Sequence, residues 1–204
     1  MHYFTFAEKD STLYQASSSL NAGLDEILEV RKEVSDSGDT VNVSRILMKF
    51  DLNYISASID SGTISNPSFF LNLYDANPTN LATTQSLHAG HSYDNPITEE
   101  GCSWKFTDGK ADGTIWPGTI SSSGGQWYSG SGYEASYSIN HNSSDVRIEV
   151  TDIVNKWLSS TVPNDGFLVK REGTVGNLDS TSDEGSTTRL GNLSFFSSDT
   201  HTKY

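Results

Sequence analysis

Alternation of apolar and polar residues, the period of a half-buried strand, recurs along this chain. It gives way to a helical period inside the run VRIEVTDIVNKWLSSTVPNDGFLVK at 146–170. Residues 147–150 alternate, and Thr151 and Asp152 are both of the types that cap helix N-termini. Ile153, Val154, Trp157 and Leu158 then fall on one helical face. Ser159, Ser160 and Pro163 stop the helix, Asn164-Asp165-Gly166 supplies turn chemistry, and 167–169 returns to an apolar strand. The pattern predicts one short helix near 152–159 in an otherwise β-rich fold.

Strands are also predicted at 27–34, 45–51, 68–74, 85–91, 102–106, 134–139, 145–150, 166–171 and 187–196, each bounded by Gly, Asn, Asp or Ser clusters. No stretch supports repeated helical crossovers, which argues against a doubly wound α/β fold. The expectation is an all-β, antiparallel, jelly-roll-like β-sandwich forming a single domain over 1–204. The glycine- and serine-rich segment 108–132 breaks the alternation but carries Trp116, Trp127 and Tyr128, so it reads as an ordered loop excursion. The segment 172–186 has no large aromatic and reads as a solvated, mobile loop.

Composition narrows the function classes. A chain of 204 residues is long enough for a substantial core without staples. Its single cysteine, Cys102, has no internal partner for a disulfide and reads as a small buried hydrophobe beside Trp104. The net charge of −13 is spread along the chain, which disfavours nucleic-acid binding. The N-terminal residues lack the pattern of a secretory signal, and no apolar run is long enough for membrane insertion.

Candidate chemistry is sparse. Glu99 and Glu100 are adjacent, which on an extended chain turns the two carboxylates to opposite sides, and nothing pairs Asp108, Asp112 or Asp152. No serine sits in a nucleophile elbow, so no catalytic residue is nominated and the chain reads as non-enzymatic. His88 and His91 would lie on opposite faces of a strand, against zinc chelation. The run 108–113 resembles a calcium loop but has Lys110 where an oxygen ligand is needed; no cofactor is expected, although a structural Ca2+ would suit an acidic sandwich. Asn42, Asn142 and Asn192 head glycosylation sequons, which mean little without a secretory route. Trp116, Trp127, Tyr128 and Tyr133 remain: as exposed rings they would contact a glycan or another subunit, and as buried ones they would cap the sandwich. Trp104 and Trp157 read as core.

Four blocks in order, FTFAEKDSTLYQASSSLNAG, SRILMKFDL, VTDIVNKWLSSTVPNDGFLVK and LGNLSFFSSDTHTKY, resemble the DNRLRE-type β-sandwich domain, which is classed with certain carbohydrate-binding modules. The middle block EEGCSWKFTDGKADGTIWPG, with GGQWY and GYEAS after it, looks most like versions in virion proteins of tailed phages. That resemblance implies a non-enzymatic structural or adhesion protein of tail, baseplate or fibre. It would assemble in the host cytoplasm, localise to the virion and contact other virion proteins or itself. The alternative it implies is a carbohydrate-binding module for a host-surface polysaccharide. The domain usually continues with one more strand where this sequence stops at Tyr204, so the resemblance implies a sheet edge completed by a further segment or a neighbour.

Overall fold

Residues 2–38, 40–76, 85–91, 101–108, 110, 113–117, 124–139, 145–172 and 183–200 are described by a computed structural model of the chain, with 85–91 described by its backbone. The first half holds β1 (Lys9–Tyr14), β2 (Ile27–Val30), β3 (Lys32–Val34), β4 (Val41–Lys49), α1 (Asn53–Asp60) and β5 (Phe70–Leu73). After it come β6 (Gln85–His91), β7 (Glu134–Ile139), β8 (Val146–Glu149), α2 (Thr151–Leu158), β9 (Phe167–Arg171) and β10 (Leu193–Phe196).

One antiparallel sheet runs β1-β4-β9-β6-β7, and β3 also pairs with β4. In a second layer β2 pairs with β10 and β5 with β8. Phe196 N donates to Tyr74 O at 3.0 Å and Ala76 N to Ser194 O at 2.8 Å, joining these two ribbons. The main core takes Ile46 and Met48 from β4 and Phe167 and Val169 from β9, and meets Leu28, Leu71, Ile148 and Phe195 from the second layer. The all-β, antiparallel character expected from the alternation is present, with its core between two sheets.

The unbroken strand expected at 27–34 is instead two strands in different layers. The chain changes sheets at Arg31, whose N–H donates to Ser44 Oγ at 2.7 Å and whose carbonyl accepts from Ser44 N at 3.0 Å. The alternation continues through this corner, so the residue pattern alone does not reveal it. β1 escaped the residue pattern for a related reason: Asp10, Ser11 and Thr12 are polar yet buried.

The expected helix is α2, where Ile153, Val154 and Trp157 are buried and Trp157 lies 4.6 Å from the Phe167 ring. Asp152 in its first turn and Lys156 in its last match the helix dipole. Thr151 is not a cap; its Oγ1 accepts from Phe69 N at 2.9 Å and ties the helix to the approach to β5. The expectation of one helix is corrected by α1, which the pattern missed because NYISASID is serine-rich and shows only Ile55 and Ile59 at helical spacing. Asp51 Oδ1 accepts from Asn53 N at 2.9 Å at its start.

The strand expected at 102–106 is also corrected. Cys102, Ser103, Trp104 and Phe106 are all buried rather than alternating, and Ser103 N donates to Phe106 O at 2.8 Å, which closes a turn. This turn covers the outer face of the larger sheet. There Cys102, Trp104 and Trp116 pack on Leu13, Val43, Leu47 and Leu168 in a second apolar cluster. β4 and β9 are consequently buried on both faces.

Candidate functional site

The four aromatics singled out by sequence do not form one platform. Trp116 is 2% exposed and donates Nε1–H to Ser103 O at 2.9 Å, so its ring offers no face to a ligand. Trp127 is half-buried over the same outer cluster, with the Arg45 guanidinium 5.1 Å and the Lys170 ammonium 4.8 Å from its ring. Tyr128 and Tyr133 turn the other way, toward the main core, with ring centroids 5.4 Å apart. The Lys156 ammonium lies 4.7 Å from the Tyr133 ring. The glycine-rich loop therefore staples two layers of the protein.

Beneath Trp127 is a buried charge cluster that no residue pattern announced. Arg45 donates Nε–H and Nη2–H to the two oxygens of Glu184, at 2.8 and 2.9 Å, and Nη1–H to Gly124 O at 2.8 Å. Lys170 Nζ is 4.0 Å from Glu184 Oε2 and donates to Arg171 O at 3.0 Å. Burial brings the Lys170 ammonium down to about 8, with Glu184 pulling it back up and Arg45 pressing it further down. Lys32 Nζ donates to Asp183 O and, at 3.0 Å, to Ser186 Oγ. The turn at 183–186 is thus pinned by basic side chains from β3, β4 and β9, which corrects the solvated loop expected at 172–186 for these four residues; 173–182 lie outside the described residues. Every charge here is enclosed, and the cluster reads as architecture.

An open site lies at the other side of the sandwich. A cavity of about 630 Å3 is floored by Met48, Phe50, Leu52, Ile55 and Phe69. Tyr3, Phe4, Phe6, Phe70 and Tyr74 stand around it with large exposed ring surfaces, from 39% at Tyr3 to 80% at Phe6. The wall at 64–68 turns through Asn66, whose φ of +48° lies in the left-handed region that asparagine tolerates. The Arg147 guanidinium sits 4.1 Å from the Phe70 ring. The signal missed in the sequence is the absence of charge: neither HYFTFA at 2–7 nor GTISNPSFFLNLY at 62–74 contains an acidic or basic residue other than His2.

Of the carboxylates weighed for chemistry, Asp108 accepts from Thr114 N at 3.1 Å and Lys110 N at 3.4 Å. The Thr114 hydrogen bond, first among several, holds its carboxyl below the ordinary value. Both of its oxygens are thus engaged by backbone. Glu99, Glu100, Asp112 and the side chains of His88 and His91 lie outside the described residues. Among the described residues no cluster of three His, Cys, Asp or Glu gathers as a metal site, and no helix is long and apolar enough to cross a membrane. No protein-family model and no curated protein matches the chain. The likeness to the DNRLRE-type domain accordingly rests on the residue blocks quoted above.

Proposed function

We propose that this protein is a non-enzymatic structural component of a tailed-phage virion, acting through protein–protein contacts. The observation that carries this reading is the ring of exposed aromatics around the open cavity. Exposed apolar surface costs free energy in water, and a contiguous patch marks a place where another surface docks. The buried fate of Trp116 removes one of the rings that a sugar platform in the 116–133 loop requires, so the protein-contact reading is preferred over the carbohydrate-binding one. The phage context comes from the resemblance of the sequence blocks.

Mass spectrometry of purified particles tests the proposal: peptides of this chain at stoichiometric level are expected. Their absence from intact virions would overturn it. Release of reducing ends from host-surface polysaccharide by the purified chain would overturn the non-enzymatic part.

A further inference from the structure

The composition of the aromatic end narrows what can dock there. Among the residues lining the cavity, the acidic and basic side chains are His2, Asp10 and Arg147. Asp10 is buried and accepts from Ser197 Oγ at 2.7 Å and Ser198 N at 2.9 Å, while Arg147 covers the Phe70 ring. The face is therefore nearly neutral on a chain of net charge −13. A strongly cationic partner would be drawn to the acidic surface elsewhere, and an anionic one gains little here. Two copies of this chain repel through most of their surfaces, and a carboxylate-poor face is where they approach with least penalty.

The same face carries both halves of a contact. Phe4 and Phe6 project from segment 2–7 with 77% and 80% of their surface exposed, and the chain joins the sheet ladder just after this segment, where Glu8 N donates to Lys49 O at 2.7 Å. Beside them is an apolar cavity whose volume of about 630 Å3 lies within the usual ligand-pocket range of ~300–1,000 Å3. Protrusion and recess on one surface make it self-complementary, the requirement of a twofold contact. Resting on the reading of this end as a protein-contact face, we infer that its occupant is a second copy of this chain. Phe4 and Phe6 of each copy enter the cavity of the other.

Sedimentation velocity over a wide concentration range tests the pairing. A species of twice the 22.3 kDa chain mass is expected. The double variant Phe4→Ser/Phe6→Ser should raise the dissociation constant by roughly tenfold or more per ring, and at concentrations low enough for the wild type to be monomeric the two should melt alike, because both rings are exposed in the single chain. Ser65→Asp, on the exposed cavity wall, should weaken pairing independently by adding a carboxylate to the contact face of each copy. A wild-type chain that stays monomeric overturns the inference, as does a dimer that survives both variants. A monomer whose melting temperature rises with a neutral oligosaccharide would assign the cavity to a glycan and also overturn it. None of these results decides whether the chain is in virions, so the two proposals fail separately.

Discussion

Arg45 and Glu184 form a two-pronged ion pair, Nε to Oε1 at 2.8 Å and Nη2 to Oε2 at 2.9 Å, with side chains 3% and 0% exposed. Removing two charges from water is costly. The geometry offsets that cost with two charge-assisted hydrogen bonds, a third to Gly124 O, and the Trp104 and Trp127 rings on the guanidinium. Breaking such a pair strands a buried charge. Glu184→Gln should therefore lower the unfolding free energy by about 3–5 kcal/mol, read from urea denaturation midpoints. The double replacement Arg45→Met/Glu184→Leu should recover most of that loss. A Glu184→Gln variant as stable as the wild type would show that the turn at 183–186 does not depend on this pair.

Lys170 gives the cluster a pH signature. Its ammonium titrates at about 8 when folded, because of burial, against an ordinary value of 10.5. Between those values the unfolded chain binds more protons than the folded one, so this group makes stability rise with pH across that window. Lys170→Met removes the effect. The stability difference between wild type and this variant should shift in favour of wild type as pH rises from about 8 to 10.5. Taking the difference cancels other titrating groups. A flat difference would refute the assignment.

How much of this was legible depended on whether a residue's neighbours are near it in sequence. β6 and β7 match the strand boundaries read from alternation, and α2 lies within one residue of its expected span, because periodicity is a local property. The sheet change at Arg31 was not legible: both sides of the corner keep the same alternation, and the cause is Ser44, thirteen residues away. Trp116 and Trp127 share a glycine-rich loop, yet one is sealed by Ser103 and the other lies over charges from β4 and β9. Glu184 looked like one more solvated acid in a polar segment; Arg45, its partner, is 139 residues distant. The cavity face was partly legible in its charge-free segments, but only folding brings 2–7 beside 64–74.

Gly166 was read as turn chemistry, and its environment makes the requirement stricter than a turn alone. Its φ is +89°, and a Cβ there would stand 2.2 Å from Met48 O, the backbone of the neighbouring strand. Neither atom is the end of a flexible side chain, so relief requires moving β4 or the start of β9. Gly166→Ala should destabilise by more than the ~1 kcal/mol typical of alanine at positive φ, visible as a lower urea midpoint. An unchanged midpoint would mean that the turn relaxes without disturbing β4.

Cys102 offers a probe of how the outer layer opens. The thiol is fully buried, and burial pushes it up to about 12 from an ordinary 9.0. Two barriers therefore oppose its reaction with a disulfide reagent at mildly alkaline pH: the sulfur is inaccessible and the thiolate scarce. Both vanish when the turn at 101–107 lifts from Leu13, Leu47 and Leu168. Labelling should be orders of magnitude slower in the native protein than in urea, with a rate set by opening of the layer. Glu184→Gln should accelerate it, because Arg45 would lose the partner that holds its guanidinium against Trp104 and Gly124 O. If that variant labels no faster than wild type while its global stability falls, the outer layer opens independently of the ion pair. The folded thiol also sets a sign at high pH: between 9.0 and about 12 the unfolded chain loses this proton first, so Cys102 makes stability fall as pH rises.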